Sequence, residues 1–121
     1  MRNLFVLALV VSLNAHVAVA AESADYKPSN GMYVMEAHLQ WCGEAKSAAV
    51  RLKRYEKFWE MQHPNDEDGY DDDRHVRMVR CCAYRMAQLY AETGRGKDCL
   101  RMLKWLEKED ARFEIERQQQ E

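Results

Sequence analysis

Proline and glycine are scarce in this chain, with two prolines and five glycines among 121 residues. That scarcity argues against a many-turned all-β fold and against a disordered linker. Neither sign of charge dominates, because 18 Lys and Arg residues stand against 20 Asp and Glu residues, for a net charge of −2. Such a balance provides no field that would concentrate a polyanion, so nucleic-acid binding is not expected. The length accommodates one small domain.

The longest apolar run lies at the N-terminus and has the pattern of a targeting segment. Arg2 supplies a positive charge, residues 4–13 are almost wholly apolar, and residues 18–20 (Ala-Val-Ala) match a cleavage site. A membrane anchor would need about 20 unbroken apolar residues, whereas Asn14 and His16 interrupt this run. We therefore expect a signal peptide cleaved after Ala20, a periplasmic location, and no membrane association after cleavage.

Beyond that segment, three stretches of the chain have apolar residues at helical spacing. The first runs from Met32 to Gln62. It contains Gly43, whose cost of about 1 kcal/mol within a helix leaves two alternatives, one long helix or two helices that meet there. The second stretch runs from Asp73 to Thr93, and the third from Lys97 to Glu116. The sequence has no strand-like alternation of useful length, so we predict an all-α fold.

These stretches predict a small antiparallel bundle of three to four helices over residues 32–116. Residues 21–31 are expected to form a flexible N-terminal segment, and residues 117–121 a frayed tail. On the third stretch, helical spacing points four apolar side chains towards the core. They are Cys99, Leu103, Leu106 and Phe113.

The hairpin predicted for residues 83–111 resembles a tetratricopeptide unit. Gly94 at its turn separates two runs of residues at the register of that family. The matching residues are Met86, Ala87 and Tyr90 before the turn and Cys99, Leu103 and Leu106 after it. The resemblance implies that Cys99 packs closely against Ala87. Leu103 departs from the pattern, because the family has an aromatic residue near that position.

Four cysteines in an exported chain predict disulfide bonds. A tight hairpin places Cys81 about 15 Å out of step with Cys99, whereas a disulfide needs Cα atoms within about 7 Å. If the first helix is continuous and folds back at its end, Cys42 comes close to Cys99, so we predict a disulfide between these two. Cys81 and Cys82 are left as buried thiols, as a homodimer contact, or as partners in a two-disulfide scheme if Gly43 breaks the first helix.

The residues form no recognised catalytic or metal-binding constellation. A cysteine–histidine nucleophile pair needs a pocket that stabilises the thiolate, yet the cysteines here lie on or beside apolar stripes. Zinc ligation by His75, Cys82 and Cys99 is a weaker alternative, because their spacing lacks the regularity of metal-binding motifs. We therefore expect neither enzymatic activity nor a cofactor or metal.

The most distinctive segment is an acidic loop, residues 64–73, which has six acids around a single tyrosine. Counted from Asp66 as a calcium loop it fails, since Asp71 and Arg77 stand where glycine and glutamate are required. Two alternatives are loose calcium binding and a solvated loop whose last acids cap the next helix. The interpretation we favour is a recognition loop, in which the acids steer a basic partner and an aromatic side chain anchors it.

The candidate binding residues lie in this loop and on the third helical stretch. They are Asp66, Glu67, Asp68, Tyr70, Asp71 and Trp105. Trp105 falls about 120° from the core stripe on a helical wheel. It is therefore either the edge of a wide core or an exposed aromatic residue at an interface.

A small exported helical domain with an acidic aromatic loop is similar to the periplasmic immunity proteins that neutralise cell-wall hydrolases delivered by type VI secretion. The likeness rests on size, export and helical build. It implies that Asp66, Asp68, Tyr70 and Asp71 occlude the basic cleft of a toxin enzyme. The alternative is a periplasmic adaptor or scaffold of tetratricopeptide type that uses the groove between its helices.

Overall fold

The computed structural model describes residues 22–64 and 69–120. Over these ranges the chain forms four α-helices and no strand, which confirms the predicted all-α bundle. The helices are α1 (Met35–Cys42), α2 (Ala48–Gln62), α3 (Asp73–Glu92) and α4 (Gly96–Gln120). In this part of the chain, no helix is both long enough and apolar enough to cross a membrane. The predicted signal peptide lies outside the described residues.

The first helical stretch divides at Gly43, so the two-helix alternative is the one found. The Gly43 N–H donates to the carbonyl of Gln40 at 3.1 Å and closes α1. A Cβ atom at this position would lie 2.9 Å from the hydroxyl of Tyr55, so any other residue would force that hydroxyl to shift. The chain then turns, and Ser47 caps α2 by accepting from the N–H of Val50.

Helix α3 is the centre of the bundle. Helices α2 and α4 pack against it, and α1 packs against both α2 and α3. The most deeply buried large side chains are Val79, Cys82 and Tyr90 from α3, Phe58 from α2 and Cys42 from α1. Burial of an apolar side chain contributes about 1.5–3 kcal/mol to folding, and α3 supplies most of these side chains.

Helix α4 presents a different face to the core from the one predicted. Met102 and Leu106 are 3% and 2% exposed, whereas Leu103 and Phe113 are 43% and 39% exposed. Neighbouring helical residues differ by about 100° in direction, so Met102 and Leu103 flank the line through Cys99 and Leu106, and it is the Met102 side that faces the core. Cys99 packs half-buried at the edge of the core. The helix continues to Gln120, beyond the predicted end at Glu116.

The predicted Cys42–Cys99 disulfide is wrong, since all four cysteines are free. The prediction assumed a continuous first helix, and the break at Gly43 removes that assumption. Cys42 instead lies in the same buried cluster as Cys82, whose Sγ donates to the carbonyl of Tyr55 at 3.2 Å. Burial raises the pKa of the Cys42 thiol to about 12 and that of Cys82 well above its usual value.

The segment before α1, residues 22–34, lies against α1 and α2. The Glu22 carboxylate accepts from the N–H groups of Lys46 and Ser47, at 2.9 and 3.5 Å, where α2 begins. The Lys46 bond is the main cause of the lowered pKa of Glu22. Tyr26 stacks on His38 of α1 with a ring separation of 4.7 Å. These contacts give residues 22–31, for which we expected a flexible segment, specific partners on the bundle.

Candidate functional site

His75 fixes both ends of the acidic loop. This side chain is buried at the start of α3, and its Nδ1 accepts from the N–H of Asp71 at 3.2 Å. Nε2 therefore carries the proton and donates to the carbonyl of Gln62, the last residue of α2, at 2.7 Å. Asp72 accepts from the N–H of His75 at 2.8 Å and caps α3. The described part of the loop thus has defined ends.

Tyr70 lies half-buried beside His75 and α4. Its ring meets that of His75 edge to face, with the centroids 5.1 Å apart. Burial raises the pKa of Tyr70 to about 12, the charge of Glu109 adds to that rise, and Arg112 opposes it. The charges of Glu109 and Arg112 act on Tyr70, so this end of the loop lies near α4, while its neighbour Asp71 is exposed.

Trp105 lies at the edge of the core, where it meets the other end of the loop. Its ring contacts Trp59 edge to face at 4.7 Å and His63 at 5.5 Å. His63 also stacks on Trp59, with the ring centroids 4.2 Å apart. The residue that leaves α2 is thus held between two tryptophans.

Both ends of the loop lie near one face of α4. Trp105, Glu109 and Arg112 follow one another at helical spacing and share a face of that helix. His63 contacts Trp105 and Tyr70 lies near Glu109, so the two ends of the loop lie along the same face of α4. We call this the loop-anchor surface: His63, Tyr70, Asp71 and Trp105. Asp66, Glu67 and Asp68 lie outside the described residues.

A cavity of about 350 Å³ opens next to Trp105, between α2 and α4. Its walls are tryptophans, its floor is formed by buried residues of α3 and α4, and charged residues stand at its rim. The lining residues are Trp59, Trp105, Met86, Tyr90, Met102, Glu56, Glu60 and Arg101. We call this site the aromatic–acidic groove.

The charged residues of the aromatic–acidic groove differ in whether they have a partner. Glu56 accepts from the hydroxyl of Tyr90 at 3.0 Å. Arg101 at the rim pairs with Asp98 at 3.3 Å. Glu60, in contrast, is exposed and has no ion-pair partner among the residues described here. The groove therefore retains an uncompensated negative charge beside two aromatic walls.

The pKa of Tyr90, at the floor of the groove, reflects the negative charge of Glu56. This pKa is raised to about 12, first by burial and then by the charge of Glu56. The guanidinium of Arg95 lies 4.6 Å from the centre of the Tyr90 ring, but it also pairs with Asp98 at 2.8 Å. Asp98 thus holds the arginines near this groove.

A larger cavity, of about 650 Å³, lies between α1, α2 and α3. It is lined by acids and bases together, among them Glu36, Glu44 and Arg85, with Cys81 at its edge. Arg85 donates to Gln88 at 3.4 Å within α3. No metal-ligating cluster occurs among the residues that the structure describes. This mixture of charges favours no single class of ligand.

The histidines of the described chain are engaged by aromatic and backbone groups. The Nδ1 atom of His38 is hydrogen-bonded to the hydroxyl of Tyr33 at 2.8 Å, and the pKa of His38 is lowered by burial. His63 lies on Trp59, and His75 bonds the loop. Their observed contacts make them parts of the scaffold around the two aromatic regions.

Sequence analysis missed the acidic half of the groove. Glu56, Trp59 and Glu60 stand at positions i, i+3 and i+4 of α2, a spacing that puts them on neighbouring turns. That pattern was a usable signal, but it became a site only through Trp105 of α4. His75 was considered only as a metal ligand, and its actual partners lie on the two sides of the loop.

Comparisons of the chain with protein-family models, curated proteins and solved structures found no match. The interpretation of the site therefore rests on the geometry and charge described above.

Proposed function

We propose that this protein is an exported protein-binding module that binds a basic partner protein. The binding surface consists of the loop-anchor surface and the adjoining aromatic–acidic groove. The observation that carries the proposal is that His63, at one end of the acidic loop, contacts Trp105, and Tyr70, at the other end, lies near Glu109 on the same face of α4. Residues 65–68, which lie between these ends in the chain, include three acids.

The two parts of the surface contribute in different ways. Acidic side chains at a rim mainly raise the association rate with a basic partner, and salt screens that effect. Tryptophan in a partly desolvated pocket is among the residues that contribute most to binding energy. We therefore assign steering to the loop acids, and affinity to Trp59 and Trp105.

Within this proposal the partner is a secreted toxin or a cell-wall hydrolase with a basic cleft. The protein acts as an immunity protein or inhibitor by covering that cleft. The resemblance in size, export and helical build supports this assignment, and so does the acidic character of the surface. The mechanism needs no chemical step by this chain.

A periplasmic adaptor of tetratricopeptide type is the second candidate. The observation that favours it is the exposure of Leu100 and Leu103, which are 60% and 43% exposed on α4 of the tetratricopeptide-like hairpin. Exposed apolar side chains on such a hairpin suit stacking against another helical unit. In that case binding depends on these leucines and not on the loop acids.

The two functions are separated by capture of partners from periplasm-expressing cells. The first variant changes Asp66, Asp68 and Asp71 to Asn. Its matched control changes three exposed acids elsewhere, Glu44, Glu92 and Glu107, to Gln and so alters the net charge equally. We expect the loop variant to lose the captured protein and the control to retain it.

A further variant, with Leu100 and Leu103 changed to Ser, tests the adaptor. Loss of capture in this variant alone, with the loop variant unaffected, would replace the proposed function by the adaptor function. Unchanged capture in the loop variant removes the acidic loop from the mechanism.

A further inference from the structure

We propose that the aromatic–acidic groove receives one arginine or lysine side chain of the partner protein. This inference rests on the proposed function and deepens it, because it names the chemical group that the groove recognises. Three features of the groove support it: its walls, its charges and its floor.

The walls provide two aromatic surfaces at a right angle. The rings of Trp59 and Trp105 are inclined by 82° with their centroids 4.7 Å apart, and His63 stacks on one face of Trp59. The face of an indole ring carries negative charge density and attracts a guanidinium or an ammonium group. A volume of about 350 Å³ lies at the lower end of the range of small-ligand sites, so the groove suits one side chain.

The charges make the groove selective for a cation. Glu60 provides a carboxylate without an ion-pair partner in the described chain, and Glu56 provides a second one next to the hydroxyl of Tyr90. Arg101, the cation that lines the groove, is paired with Asp98. An incoming guanidinium would therefore meet two carboxylates and one already paired arginine.

The floor suits the hydrocarbon part of the same side chain. Met86 and Met102 are buried there, and both line the cavity. Thioether side chains are unbranched and polarisable, so they adapt to the stem of an arginine or a lysine. A long cationic side chain would thus find an apolar floor below and acids at the opening.

The test is a titration of the exported, purified protein with short peptides, followed through its indole N–H signals in NMR spectra. The probe is acetyl-Gly-Arg-Gly-amide, and the control peptide has citrulline, an uncharged isostere, in place of arginine. The three tryptophans of the chain provide an internal comparison. We expect the signals of Trp59 and Trp105 to shift with the arginine peptide, while Trp41, already covered by Arg54 at 3.7 Å, stays unchanged.

A pair of variants tests the charge. Glu60→Gln is expected to weaken binding of the arginine peptide about five-fold, because it removes the unpaired carboxylate. Glu107→Gln, the same change at an exposed position of α4, is expected to leave the affinity unchanged. Equal shifts with the arginine and citrulline peptides would overturn the proposal, and so would equal affinities of the two variants.

A third probe distinguishes a partner side chain from a free metabolite. If choline shifts the Trp59 and Trp105 signals and the arginine peptide does not, the groove is a site for small quaternary ammonium compounds and the proposal is wrong. The result is separable from the proposed function. Loss of partner capture in the loop variant, together with no peptide binding, would leave the proposed function standing and overturn this inference alone.

Discussion

The protein has two regions rich in aromatic residues, and they differ in whether an arginine of the chain lies over a tryptophan ring. The N-terminal cluster surrounds Trp41, and the guanidinium of Arg54 lies 3.7 Å from the centre of that ring. Arg54 also donates to the carbonyls of Ser23 and Trp41, at 2.8 and 3.0 Å. This region therefore supplies its own cation, which is buried and fully engaged.

The aromatic–acidic groove has the complementary arrangement. Its tryptophans, Trp59 and Trp105, have no arginine or lysine over their rings among the residues described; the ring stacked on Trp59 is that of His63, and Glu60 lies open beside them. The contact between an arginine and a tryptophan ring that stabilises the first region therefore has no counterpart among the described residues of the second. The comparison indicates that the first region stabilises the protein and that the second is available for a partner.

The largest expected effect is on the N-terminal cluster. Arg54→Met removes the cation over Trp41, leaves the carbonyl of Ser23 without this donor and leaves that of Trp41 with the N–H of Glu44 alone, so the free energy of unfolding should fall by about 3 kcal/mol. Lys53→Met, an exposed neighbour, is the control and should change it by less than about 0.5 kcal/mol. Urea unfolding measures both. A loss of equal size in the two variants would contradict the assignment of Arg54 to the fold.

A smaller effect is expected at the break that orients α1. Gly43→Ala introduces a Cβ 2.9 Å from the Tyr55 hydroxyl and should cost about 1–2 kcal/mol. Tyr55→Phe in the same chain should recover part of that loss, because it removes the atom in conflict. Gly96→Ala meets no atom within 4 Å and serves as the control. Without any recovery in the double variant, the close approach would not explain the break.

The next prediction concerns pH and again distinguishes the two regions. Burial lowers the pKa of His38 below its ordinary value of 6.5, so the unfolded chain binds a proton more readily than the folded one. The stability from neutral His38 is present above that value and is lost as pH falls towards the lower folded pKa. The facing groups are Tyr26 and Tyr33 from the preceding segment, Trp41 from α1 and Phe58 from α2.

Urea unfolding at about pH 7 and about pH 5 measures this effect. The unaltered protein should lose stability on acidification, and His38→Gln should lose less over the same interval. An identical pH dependence in the two proteins would show that His38 does not cause the loss.

The smallest effect on stability is expected in the aromatic–acidic groove. Glu60→Lys gives this region a cation of its own and should change the free energy of unfolding by less than about 0.5 kcal/mol. It should nevertheless abolish binding of the arginine peptide, because the attractive charge is replaced by a repulsive one. Glu107→Lys is the matched control. A large loss of stability in Glu60→Lys would instead make the groove part of the fold.

Local sequence patterns predicted some elements well. Helix α3 begins at Asp73 as predicted, because a cap and a long apolar stripe agree there. For the first helical stretch, these patterns did not decide between one long helix and two, since a single Gly43 costs little within a helix. The stripe on α4 was placed one residue away from the buried one, because Met102 and Leu103 are both apolar and only packing against α3 chooses between them.

Sequence analysis found only part of the candidate site, because it recognises patterns that are local in the chain. Trp105 and the loop stand out in composition, so sequence analysis selected them. Glu56 and Glu60 are ordinary acids on a helix, and they acquire meaning only when α2 and α4 meet over α3. The disulfide prediction for Cys42 failed because it depended on a continuous first helix, whereas that helix ends at Cys42 and the chain turns at Gly43.

The amino-acid sequence by itself determined the helical class, the approximate bounds of the helices and the unusual charge of one loop. These properties depend on residues close together in the chain, through helical periodicity, capping and composition. The tertiary structure alone decided which tryptophan received a cation and which was left beside unpaired acids. That choice depends on side chains far apart in sequence, because only the packing of α1, α2 and α4 around α3 brings them within contact distance.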